Sequence, residues 1–209
     1  MSFERARAKD QIDQRKDVIL SAANELYNKG SYPNVTFAKL SQKISLSRPA
    51  IYKYFKKPEE ILMELLRREI IVFEQSLNAK NSSTPEDFTN ELTKYLLHHD
   101  SLLKLFSITY TVIEPALDLN HLILLKQEIF SLMLILKGKL QLINSNITEE
   151  KINTFQYSVL TFVAAVYPIS HGKQEQYVAM EMISQDFIKP NYPSLIEQNI
   201  KSFVSTALT

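Results

Sequence analysis

Arg48, Tyr52, Lys53, Tyr54 and Lys57 fall within ten residues, in the run Ser47-Arg48-Pro49-Ala50-Ile51-Tyr52-Lys53-Tyr54-Phe55-Lys56-Lys57. A guanidinium carries a planar fork of donors that matches O6 and N7 of guanine. Short side chains such as Pro49 and Ala50 permit close approach and touch a thymine methyl. Ammonium, phenol and hydroxyl groups hold phosphate oxygens and so fix register without reading sequence. On that division Arg48 meets a base and Lys53 a base or a phosphate. Tyr52, Tyr54, Lys57, Thr36 and Ser47 hold the backbone, while Ile51, Phe55, Leu40, Ile44 and Leu46 are core.

These side chains work only if a helix aims them. Ser47 is a good N-cap, and Pro49 in the first turn removes a donor that has no helical partner there. At 100° per residue Arg48, Pro49, Tyr52 and Lys53 occupy an arc of roughly 140°, with Ile51 and Phe55 on the neighbouring arc. One arc is therefore free to face a partner while the other is buried. Upstream, Thr36 caps a second short helix carrying Phe37, Leu40 and Ile44, and Ser45-Leu46 connects the two. Two short helices joined this way form a helix-turn-helix, whose second member lies in the DNA major groove.

The segment from Arg15 to Leu66, read as three short helices and the start of a fourth, resembles the tetracycline-repressor (TetR) family of bacterial regulators. The resemblance rests on Val18-Ile19-Leu20-Ser21-Ala22-Ala23-Asn24-Glu25-Leu26-Tyr27 with Lys29-Gly30, on Thr36-Phe37-Ala38-Lys39-Leu40-Ser41, and on Ile51-Tyr52-Lys53-Tyr54-Phe55-Lys56-Lys57-Pro58-Glu59-Glu60-Ile61-Leu62. It also supports the phosphate roles of Tyr52 and Lys57. Two positions depart from the family pattern. Ser45 stands where glycine is usual in the turn, costing on the order of 1 kcal/mol if the backbone there is left-handed. Pro58 replaces the usual lysine at the start of the fourth helix, leaving Lys57 as its substitute.

Composition agrees with an all-α chain. Of 209 residues 45% are hydrophobic, enough for a substantial core, and 3 glycines with no tryptophan disfavour a phosphate loop or an all-β fold. With no cysteine there is neither a disulfide nor a thiolate metal site. The first seven residues lack the apolar core of a signal peptide, and the longest apolar runs are shorter than the ~20 residues of a bilayer span. The expectation is a cytoplasmic protein with no membrane partner. Its net charge of +1 is unevenly spread: residues 1–60 hold 12 Lys and Arg against 7 Asp and Glu, and residues 61–209 hold 12 against 16. The basic end coincides with the helix-turn-helix, where counterion release favours nucleic acid.

Two domains follow, residues 1–60 for DNA and residues 61–209 for effector binding and dimerisation. Leu62, Leu66, Ile70, Phe73 and Leu77 make the fourth helix long and amphipathic, carrying the chain from one domain into the other. Thr84 caps a fifth helix with Pro85 in its first turn. Residues 100–113 read as one apolar helix stopped by Glu114-Pro115. Further helices are expected from 119 to about 143, from Thr148 to about 166 where Tyr167-Pro168 interrupts, within 172–188, and over 194–207. Their apolar surface exceeds what one core consumes. A two-fold homodimer disposes of it and sets two recognition helices about 34 to 36 Å apart, one turn of a near-palindromic operator. The resemblance implies that the dimer uses the helix opened by Thr148 and the last one.

The resemblance also implies a small-molecule effector in the larger domain. Aromatic walls and polar tips nominate Tyr95, His99, Phe106, Tyr110, Glu114, Phe155, Phe162 and Tyr167, and suggest a hydrophobic ligand. No cofactor or metal is implied. Glu149 and Glu150 point about 100° apart and suit a helix N-terminus rather than acid–base chemistry. The four histidines (98, 99, 121 and 171) lack the spacing of a helical zinc site, and no nucleophile motif is present. The reading is a dimeric sequence-specific repressor released by its effector. The alternative is a helical interaction module that keeps the fold without specific DNA binding or effector control.

Overall fold

The computed structural model describes residues 2–209, with side chains from residue 10 onward. Met1 and the side chains of residues 2–9, including the N-terminal segment read above for a signal peptide, lie outside the described residues. Eleven α-helices are described and no strand. The DNA-side unit is built from α1 (Ser2–Lys29), α2 (Phe37–Lys43) and α3 (Arg48–Ile51). Then come α4 (Pro58–Asn78), α5 (Pro85–His98), α6 (Asp100–Phe106), α7 (Glu114–Ala116), α8 (Leu119–Ile143), α9 (Glu149–Ser170), α10 (Gln174–Ile183) and α11 (Tyr192–Leu208).

The expected hydroxyl caps are in place. Thr36 accepts from the Lys39 amide, Ser47 from Ala50, Thr84 from Asp87 and Thr148 from Lys151, each satisfying an amide donor with no partner inside the helix. Five expectations are corrected. The first helix is 28 residues long rather than short. Ser45 carries no left-handed strain, because no described non-glycine residue has positive φ; extended Ile44 makes the turn instead. Residues 100–113 are not one helix. After α6 the backbone widens into a π segment, Thr109–Ile113. There Ile113 donates to the Ile108 carbonyl, and the buried Thr109 hydroxyl bonds back to Leu105. Pro115 opens α7 rather than stopping a helix. Finally, α9 passes through Pro168 to Ser170, forgoing only the amide donor that the Ala164 carbonyl would otherwise accept.

Gly30 follows α1 without a left-handed φ, and a Cβ there would stand 2.0 Å from the side-chain Nδ2 of Asn34, which would have to swing aside. The core runs unbroken from Ile19, Leu40 and Ile51 through Leu62, Leu66 and Ile70 of α4 to Leu125, Val159 and Ile200. At roughly 1.5–3 kcal/mol for each large side chain buried, that continuity makes α4 a rigid strut between the two ends. Arg67 of α4 pairs with Glu64 at 2.9 Å and with Glu128 of α8, and Arg68 reaches Asp17 of α1 at 2.6 Å.

α8 is long and apolar enough to cross a membrane by length and composition alone, beyond what its short apolar runs suggest. It lies instead along α4 and α9. Its inner ridge, Leu125, Ile129, Leu132, Leu136 and Leu140, is buried. Lys139 is also inside, donating to the Lys80 carbonyl near Glu91.

Candidate nucleic-acid interface and regulatory core

Ser47 starts α3, and backbone bonds from Tyr52 to Arg48, Tyr54 to Ile51 and Phe55 to Ile51 prolong its turns. Ile51 and Phe55 are buried, which rolls the opposite arc outward. Arg48, Pro49, Tyr52, Lys53 and Lys57 are exposed, as is Ser47; Ala50, Tyr54 and Thr36 are half-buried. The Tyr52 ring meets Phe37 edge-on at 4.5 Å. Its body is therefore fixed on α2 while its surface remains open. Arg48 and Lys53 form no ion pair with a described residue, leaving both charges available. Buried Glu60 accepts from the Lys56 amide at 2.6 Å and holds the corner between α3 and α4. Lys57 is engaged differently. Its ammonium donates to the Ala116 carbonyl at the end of α7, at 2.5 Å.

A second connection joins the same two regions. The Lys104 ammonium of α6 donates to the carbonyls of Tyr27 at 2.8 Å and Gly30 at 2.9 Å, and the Tyr27 hydroxyl donates to the Lys104 carbonyl at 2.7 Å. Neither Lys104 nor Ala116 stands out in the sequence. Each contact spans 59 residues or more, so no local pattern announces it.

The larger domain encloses a narrow cavity of about 20 Å³ where α4, α5, α6, α8 and α9 converge, walled by Phe73, Phe106, Leu132, Leu136, Gln156 and Val163 among others. Gln156 is turned aside, donating to the Met133 carbonyl at 2.6 Å. Of the eight effector candidates Phe106 lines this space. Tyr95 lies nearby, stacked between Phe73 at 4.2 Å and His99 at 3.7 Å. Burial pushes its hydroxyl above the usual tyrosine range, and that buried oxygen has no partner among the described residues. Tyr110 and Glu114 meet at Lys126 on the surface. Phe155 packs on Phe88, Phe162 faces Phe203, and Tyr167 stacks on His171. The eight thus do not share one pocket. The aliphatic wall carried no aromatic signal, although its positions recur at three and four along α8 and α9.

The Phe162–Phe203 pair belongs to an open groove of about 980 Å³ along α9 and α11, lined by Asn153, Thr154, Tyr157, Ser158 and Ala165 and by one charged side chain, Glu150. No group of three or more metal-ligating side chains is found among the described residues.

The sequence matches two family descriptions, "Bacterial regulatory proteins, tetR family" over residues 19–65 and "Tetracyclin repressor-like, C-terminal domain" over residues 63–205. No curated protein matches it. Among solved structures, a TetR/AcrR-family transcriptional regulator from Thermobifida fusca superposes with a TM-score of 0.59 at 15% identity, covering 91% of this chain and 97% of that one. The transcriptional regulator FadR from Bacillus subtilis, in complex with stearoyl-CoA, gives 0.57 at 18% identity over 90% and 97%. AmtR from Mycobacterium smegmatis gives 0.50 at 14% identity over 89% and 84%. At these identities the structural likeness speaks for the fold.

Proposed function

The chain belongs to the TetR family of bacterial regulatory proteins, and from that membership we propose that it acts as a homodimeric repressor, binding a near-palindromic operator and released by a small hydrophobic effector. Proteins of this family are DNA-binding transcriptional regulators and not enzymes. The finer reading is supported above all by the open face of α3. Arg48 is taken to read guanine with Pro49 and Ala50 beside it, Lys53 to meet a base or phosphate, and Thr36, Ser47, Tyr52, Tyr54 and Lys57 to hold phosphates. Residues 1–60 form the DNA-binding domain in this reading, residues 61–209 the effector and dimer domain, and the protein works in the cytoplasm.

The groove along α9 and α11, uncharged apart from Glu150, suits the dimer contact, since an isologous face must complement itself. The aliphatic cavity suits an apolar effector, and FadR, similar in fold, is in complex with stearoyl-CoA. A void of about 20 Å³ has room for roughly one water, so an effector of any size must part the helices around Phe106. That displacement would act on α6 and α7, which hold the DNA-side unit through Lys104 and Ala116. A ligand preferring the parted arrangement thereby disfavours the DNA-binding one.

Titrating the protein with the DNA upstream of its own gene at two salt concentrations tests the reading. Selective, salt-dependent binding supports a repressor, whereas binding indifferent to sequence favours the interaction module.

A further inference from the structure

We propose that Gln156 is the residue through which the aliphatic cavity of the larger domain selects its ligand, and that this ligand is a neutral, largely hydrocarbon molecule carrying a hydroxyl group. The inference rests on the reading of that cavity as the effector site and narrows the class of molecule it takes. Twelve residues from α4, α5, α6, α8 and α9 wall the space, and eleven of them are apolar. Gln156 is the exception. A carboxylate, a phosphate or an ammonium group would meet no opposite charge on this wall, and an unpaired ion taken out of water is strongly disfavoured. A plain hydrocarbon would leave the one amide unused.

The fold by itself gives little reason for an amide at this position. Ile152, Gln156, Val159, Val163 and Val166 form a buried ridge of α9 at spacings of four, three, four and three. A leucine would continue that ridge with no polar atom to satisfy. Gln156 is only 6% exposed, and its one hydrogen bond among the described residues runs from Nε2 to the Met133 carbonyl at 2.6 Å. Met133 lies inside α8, where its carbonyl already receives the Lys137 amide. The glutamine therefore adds a second bond to an oxygen that is satisfied without it, and releasing that bond strands no backbone group.

Met133 and Gln156 both belong to the cavity wall, so a molecule that parts α8 from α9 meets this bond. A hydroxyl suits the amide it frees, because it accepts from the nitrogen or donates to the oxygen, whereas a methyl group of the same size does neither. The rest of the ligand then needs only to fill space against Phe73, Phe106, Leu132 and Val163.

Three probes of nearly one shape test this: p-cresol, p-xylene and 4-methylbenzoate, which present a hydroxyl, a methyl and a carboxylate. Their dissociation constants are measured at neutral pH on full-length wild type and Gln156→Leu. The same pair is repeated on a Phe106→Ala background, where the cavity is larger; if that background loses its helix content, the first pair carries the comparison. Gln156→Leu should weaken p-cresol about tenfold, the loss of one hydrogen bond, and leave p-xylene as tight or tighter, while 4-methylbenzoate binds neither protein. Without ligand Gln156→Leu should melt no lower than its parent. A purely structural glutamine would instead lower the melting temperature and both affinities together, which overturns the proposal. Binding of p-cresol that survives Gln156→Leu, or of 4-methylbenzoate as tight as that of p-cresol, also overturns it while leaving the cavity as the effector site. If none of the probes binds on either background, the effector reading of the cavity falls and this inference with it.

Discussion

Tyr27 and Lys104 bind each other reciprocally: the Tyr27 hydroxyl donates to the Lys104 carbonyl at 2.7 Å and the Lys104 ammonium donates to the Tyr27 carbonyl at 2.8 Å. Lys104 thereby places a cation on the last carbonyls of α1, where the helix dipole favours it. Burial moves its pKa below the usual lysine range, and the ammonium also lies 4.8 Å from the Tyr27 ring centre. Lys104→Met leaves the Gly30 carbonyl without this donor and the Tyr27 carbonyl with the Gly30 amide in its place, and should cost about 1–3 kcal/mol. Tyr27→Phe removes one bond and should cost about 0.5–1.5 kcal/mol. Urea denaturation of both variants checks the order, and equal losses would deny Lys104 its capping role.

Tyr95 makes the opposite case. Its ring is stacked on both sides while its buried hydroxyl has no partner among the described residues. A buried polar atom left unpaired costs about 1–3 kcal/mol, so Tyr95→Phe should be neutral or should raise the urea midpoint. A clear fall in the midpoint would mean that the hydroxyl bonds to a water or a ligand in solution.

The hydroxyl caps of four helices were legible because each is a contact between a side chain and an amide three residues away. The open arc of α3 was legible for the same local reason. The widening at Thr109 was not, since it depends on a fully buried hydroxyl turning back on Leu105. The cavity leaves no such local mark, because its wall is largely aliphatic and comes from five helices. Lys57 was read by its neighbours in the sequence. Its partner Ala116 is brought to it only by the folding of α4 through α7.

Phe106→Ala should enlarge the cavity and destabilise the protein by about 3–5 kcal/mol. Because voids walled by aliphatic groups remain dry and admit small apolar molecules, benzene should raise the melting temperature of this variant more than that of the wild type. Equal shifts would indicate that the core collapses around the missing ring.

Alkaline pH should expose the buried phenols. Tyr27 and Tyr95 are pushed above the ordinary value of 10.0 chiefly by burial, and Tyr192 by burial and by Asp100, which accepts its hydroxyl at 2.8 Å. With folded values above unfolded ones, their contribution to stability is intact below about pH 10. It is lost as pH rises from there towards the folded values, because the unfolded chain releases these protons first. Phenolate absorbance and helix content followed together should show the late phenolates forming only as the helices melt. Full phenolate formation with helices intact would contradict the burial of Tyr27 and Tyr95 and the bond from the half-buried Tyr192 to Asp100.

Lys57 has two claims on one ammonium. In the free chain it donates to the Ala116 carbonyl, whereas a phosphate contact requires it to let go of α7. If it moves to the phosphate, Lys57→Ala should weaken DNA binding evenly across sequences and reduce the salt slope by about one. Arg48→Ala should instead cost about 1–3 kcal/mol and relax selectivity at one base pair. The exchange has a second consequence: DNA should compete with the Lys57–Ala116 bond, so substitutions that displace α7 should alter operator affinity in wild type and much less in Lys57→Ala. A salt slope unchanged by Lys57→Ala would show that the ammonium stays on Ala116 in the complex, leaving the phosphate at the start of α4 to other groups.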